Sequence, residues 1–148
     1  MTREEKQLLL QDLSARLPYK IMVKVNDTQG IMDEIDIPNE RIFVSSLNPF
    51  LHGGAKASWF TVNGDKIYPY LRPMSSMTEE EANELDAISD GRLIGGGEYL
   101  GVLSQHDWTD SFKYILLGIN WLNSHHFDYH GLIEKGLALE APEGIYNN

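Results

Sequence analysis

Leu9, Leu10, Leu13 and Leu17 recur at helical spacing, so the chain opens with an amphipathic helix. Thr2 and Glu5 form a capping box at its start, where hydroxyl and carboxylate satisfy amides that have no partner inside the helix. Leu17-Pro18 ends it, because a residue before proline is pushed out of the α region. The apolar period then drops to two. In Lys20–Val25, Ile21, Val23 and Val25 face inward, which predicts a strand with one wet face. Turn residues follow over Asn26–Gly30. Ile31, Ile35 and Ile37 carry a second, less regular extended run that Pro38-Asn39 interrupts, and Arg41–Ser45 reads as a third strand. After a loop over Asn48–Lys56, Ser58–Val62 and Asp65–Tyr68 flank Asn63-Gly64, which predicts a hairpin with a type I′ turn. Pro69 and Pro73 bracket Tyr70-Leu71-Arg72. Short strands at this spacing predict a small antiparallel SH3-like barrel or a meander, flanked by the first helix.

The period returns to helical in the second half. Thr78 and Glu81 form another capping box, and Ala82, Leu85 and Ile88 give the helix a thin apolar stripe that stops at Asp90-Gly91. Gly95-Gly96-Gly97 reads as a flexible joint, and Tyr99–Leu103 as one more strand. Asp110 or Ser111 caps a third helix that buries Tyr114, Ile115, Ile119 and Leu122. Asp128 caps a last short helix to Lys135, with Gly136 at the left-handed position beyond it. Leu137, Leu139 and Pro142 form an apolar tail. The expected fold is α+β in a single domain over 1–148, with a helix and small β-barrel in 1–77 and a mainly helical extension in 78–148.

At 148 residues and 42% hydrophobic, the chain is long and apolar enough for one ordinary core. There are no cysteines, which excludes disulfides, thiol catalysis and cysteine-ligated metals and fits a reducing compartment. The opening residues lack a signal-peptide layout, and no apolar run is long enough for a membrane span, so a cytoplasmic location without membrane contact is expected. The net charge of −10 is uneven: residues 78–98 carry seven acids against the single base Arg92. A phosphate backbone is repelled by such a surface, so nucleic acid is not an expected partner.

Ligand-type residues concentrate in one place, His125, His126, Asp128 and His130. His126 and His130 have the four-residue spacing of a zincin helix, but Phe127 stands where the catalytic glutamate would be, and Asp128 and Gly131 mark a helix start between them. The plainer reading is a helix corner with Asp128 as its cap. His106-Asp107 is a weaker pairing, since chain neighbours rarely face each other. The triple glycine lacks the Lys-Ser/Thr of a phosphate loop, and no serine sits in a nucleophile elbow. Trp59, Phe60, Tyr68 and Tyr70 cluster around the expected hairpin, where alternate members face outward as an aromatic surface for a peptide or base, or else fill the core.

Tyr70–Glu81, Trp121–Tyr129 with Gly131–Tyr146, and the opening Met1–Tyr19 resemble a family of small proteins from gut Bacteroides genomes and their phages and prophages. The resemblance covers about half the chain. It leaves Lys20–Ile67 and Ala82–Lys113 as the variable middle, and it places an arginine where this chain has His130. It brings no activity, cofactor or catalytic residue. It implies a scaffold that presents varied surfaces, as an accessory protein of a mobile element with a host or phage protein as partner.

The function expected is therefore non-enzymatic binding of a protein or small ligand. Trp59, Tyr68, Tyr70, His125, His126 and Asp128 are the candidate binding residues, and no catalytic residue, metal or cofactor is assigned. The alternative is a metal-dependent hydrolase or nucleotide-binding protein using His125, His126 and Asp128.

Overall fold

The computed structural model describes residues 1–46, 57–91, 93 and 108–146, without the side chains of residues 46 and 108–110. The Asn48–Lys56 loop, the triple glycine, the Tyr99–Leu103 strand and the His106-Asp107 pairing lie outside the described residues. Helix α1 (Arg3–Arg16) starts at the expected capping box: the Thr2 hydroxyl accepts from Glu5 N–H, and the Glu5 carboxylate accepts from Thr2 N–H. A 3-10 turn (Leu17–Tyr19) leads into β1 (Met22–Val25), β2 (Thr28–Asp36), β3 (Arg41–Ser46), β4 (Ser58–Thr61) and β5 (Ile67–Leu71). A short 3-10 turn (Met74–Ser76), α2 (Glu79–Ile88), α3 (Trp108–Ser124) and β6 (Leu139–Glu140) complete the order.

The fold is α+β, and its sheet is open rather than a barrel. Strand order is β4-β3-β2-β1-β5-β6, antiparallel except for the parallel β5/β6 pair. β1 to β4 form the expected meander. The SH3-like closure does not occur among the described residues, because β4 and β6 end the sheet at opposite edges. The expected hairpin fails for the same reason. β4 pairs with β3 and β5 with β1, so Asn63-Gly64 links strands four places apart. Neither Asn63 nor Gly64 takes a positive φ. The tight hairpin is instead β1/β2, turned at Asn26 with φ 53°.

One face of the sheet buries Val23, Val25, Met32, Ile42, Val44, Ile67 and Leu71 against Leu9, Leu10 and Leu13 of α1. Leu132, Leu137 and Ala138 from the C-terminal segment join the same core. Leu9, Leu13 and Leu132 are fully buried, each contributing about 1.5–3 kcal/mol. A second core joins Leu85 of α2 to Trp121, Leu122 and Phe127. Gly118 permits the close approach of α3 there, since a Cβ would come within 2.2 Å of a Leu93 methyl. The expected buried face of α3 is shifted. Ser111, Gly118, Trp121, Leu122 and Asn123 are buried, while Tyr114, Ile115 and Ile119 are half-buried.

Residues 129–138 form a run of turns in place of the expected last helix. Asp128 still acts as a cap: its two carboxylate oxygens accept from Leu132 N–H (2.8 Å) and Ile133 N–H (3.0 Å). Gly136 has the positive φ expected of it, 72°. Among the described residues no helix is long and apolar enough to cross a membrane.

Candidate functional site

The site is built where α3 stops. His126 N–H donates to Asn123 C=O and Phe127 N–H to Leu122 C=O, the paired reverse bonds of a Schellman motif. Leu122 and Phe127 make its apolar contact in the second core. The position that such a motif gives to glycine is held here by His126, with φ 64°. Left-handed backbone is uncommon for a residue with a Cβ, although histidine is among the more tolerant. The turn is fixed to the sheet on its far side. Arg72 N–H donates to His126 C=O (2.7 Å) and Asp128 N–H to Arg72 C=O (2.8 Å), extending β5 by one bridge.

The two adjacent histidines are held differently. His125 stacks on Trp121 with ring centroids 3.9 Å apart, and its Nδ1 lies 2.9 Å from Trp121 C=O. The Ser124 hydroxyl lies 3.0 Å from the same nitrogen. His126 is 8% exposed and stacks on Tyr146, centroids 3.6 Å apart, while its Nδ1 is buried without a hydrogen-bond partner. Burial, reinforced by the charges of Arg16, His125 and Arg72, pushes the His126 pKa down to about 4, so its ring is neutral at neutral pH. Tyr146 is pinned in turn. Its hydroxyl accepts from Met22 N–H (3.0 Å) and donates to Tyr70 C=O (2.7 Å), and burial raises its pKa.

Around this pair lies a cleft of about 590 Å³ that Tyr19, Lys20, Met22, Ile31, Arg72 and Tyr146 line together with both histidines. The volume is within the range of small-molecule sites. Among the described residues no carboxylate lines it. The Arg72 guanidinium lies 4.1 Å above the Phe127 ring and donates to both Glu81 oxygens, at 2.7 and 2.8 Å. That bidentate pair holds the Glu81 carboxyl at about 2, well below the usual range.

Of the residues singled out from sequence, His125 and His126 line the cleft, and Tyr70 touches it through Tyr146. Tyr70 is itself buried, its hydroxyl accepting from Gln29 Nε2 at 2.8 Å. Asp128 is not part of the cleft lining, since both of its oxygens cap the following turn. Tyr68 and Trp59 share the sheet face opposite α1, but on β5 and β4 they are four strand spacings apart, about 19 Å at ~4.8 Å each. Trp59 packs instead on Phe43 and under Arg41, whose guanidinium is 4.3 Å from its ring. The three aromatics therefore form no common groove.

Among the described residues no three His, Cys, Asp or Glu side chains are grouped to hold a metal ion. Lys20, Met22, Ile31 and Tyr146 are lining residues that sequence reading passed over. One signal was available for the turn itself: Leu122 and Phe127 bracket it five residues apart, the apolar signature of a Schellman stop, with His126 in the glycine slot. No protein-family model, curated protein or solved structure matches the chain.

Proposed function

We propose that the protein is a non-enzymatic binding module whose site is the His126 cleft and whose ligand is a small molecule. The carrying observation is His126 itself. A residue with a buried, unpartnered polar atom, held in left-handed backbone where glycine is easier, costs the fold stability twice. Such costs cluster at sites where the side chain serves a ligand. The cleft volume and the mixture of apolar and cationic side chains around it support the same reading. Asp128 is committed to the turn, and His125 Nδ1 to the α3 terminus, so the lining supports binding better than hydrolysis.

Ligand-observed NMR of a fragment library against the native chain and against His126→Gly tests this. The glycine variant keeps the turn geometry and removes the imidazole. Fragments that bind the native chain and lose binding in the variant are expected. A library in which no hit depends on His126 removes the reading.

A further inference from the structure

We propose that the cleft selects a small organic anion with an apolar body, a proposal that rests on the binding-module reading. The charged end would meet Lys20, and the body would lie against Tyr19, Met22, Ile31 and Tyr146. The first support is the sign of charge. In a chain of net −10 this cleft is lined by Lys20 and Arg72 and, among the described residues, by no acid. Arg72 spends both terminal nitrogens on Glu81, so the local excess of positive charge comes from Lys20. Lys20 is exposed and forms no ion pair among the described residues. Acids that lie more than about 8 Å from a bound ligand are largely screened at physiological salt.

The second support is backbone geometry. Lys20 has φ 56° and His126 has φ 64°, so two of the five non-glycine residues in left-handed backbone among the described residues line one cleft. Lys20 follows the 3-10 turn and precedes β1, where glycine or asparagine would sit with less strain. Both side chains are thus kept at a position that a smaller residue would occupy more easily. The apolar half of the lining requires a ligand that is more than a bare anion, and the volume admits a bicyclic body.

The probes are 2-naphthoate, 2-naphthamide and 2-naphthylmethylammonium, which share one body and differ in charge. Each is titrated into the full chain while backbone amide shifts are followed. Naphthoate is expected to shift the amides around Lys20 and His126 and to bind at least about threefold tighter than the amide, with weaker binding in high salt. Lys20→Gly should weaken naphthoate by about threefold or more, to the level of the amide, and leave the amide unchanged. The same spectra report whether the variant is folded. If it is not, Lys20→Asn, neutral and tolerant of left-handed backbone, replaces it. Equal or tighter binding of the amide or the ammonium, still dependent on His126, overturns the anion assignment and leaves the binding-module reading standing. Absence of any naphthoate shift at the cleft also overturns it, and the fragment screen then judges the cleft separately.

Discussion

His126 and His130 stand four residues apart, on two turns separated by the Phe127 bridge, and the fold treats them in opposite ways. His130 Nδ1 lies 2.7 Å from Asp12 Oδ2, reaching back to α1 across 118 positions. Asp12 is fully buried and also accepts from Arg16 Nε (2.6 Å) and Arg16 Nη2 (3.0 Å), and Arg16 Nη2 donates onward to Phe127 C=O. Burial opposes ionisation of the Asp12 carboxyl, but the bonds from His130 and Arg16 outweigh it and hold its pKa below the ordinary value. The His130 corner is a polar network that ties α1 to the C-terminal turn, although Arg16 Nη1 is buried in it without a hydrogen-bond partner. His126, whose pKa the Arg16 charge helps to lower, has a buried nitrogen with nothing to bond. The difference separates a histidine that holds the fold from one that the fold has to accommodate.

The largest expected effect tests the His130 side of this comparison. Asp12→Ala leaves Arg16 as a buried, uncompensated charge, and should lower stability by about 3–5 kcal/mol in urea denaturation. A loss under about 1 kcal/mol would mean that the network is decoration. The sign of its pH dependence follows from the lowered carboxyl pKa of Asp12, and the separate Arg72–Glu81 pair has the same sign. The stability they contribute is present above their unfolded values and is lost as pH falls, for Glu81 from about 4.5 to about 2. His130→Ala removes one of the bonds on the same carboxylate and should cost less, about 1–3 kcal/mol. Because Asp12 is shared, the double variant should lose less than the two single losses combined.

This contrast also marks what was legible in the sequence. Both capping boxes were readable because each lies within four residues, and local spacing is what sequence displays. The same holds for Leu9, Leu10 and Leu13, whose period places them on one face. Asp12 and Arg16 read as polar positions on α1, and their burial depends on His130 and Phe127, more than a hundred residues away. The Asn63-Gly64 hairpin misled for a similar reason: local turn chemistry does not decide which strand becomes the neighbour. Here β1, already paired with β2, offers its other edge to β5. Asp128 was read rightly as a cap, but a helix after it needed more than a cap, and Gly131 with φ 71° turns the chain within three residues. The histidine cluster was found by composition alone. Which member lines a cleft depends on where α3 stops, and the apolar bracket of Leu122 and Phe127 encodes that stop.

The smallest expected effect tests the His126 side. His126→Gly removes a buried ring stacked on Tyr146 and relieves left-handed backbone at the same position, terms of opposite sign and each about 1 kcal/mol. The net change at pH 7 should stay within about 1 kcal/mol, far from the loss expected for Asp12→Ala. Acid then separates the two proteins. His126 titrates near 4 in the fold against 6.5 when unfolded, so between those values the unfolded chain binds the extra proton. The native chain therefore loses stability as pH falls from about 6.5 to about 4, and His126→Gly lacks this part of the loss. Urea midpoints measured across that window should show the variant gaining steadily on the native chain. Parallel curves would mean that His126 meets solvent or a partner in the fold, and its contrast with His130 would disappear.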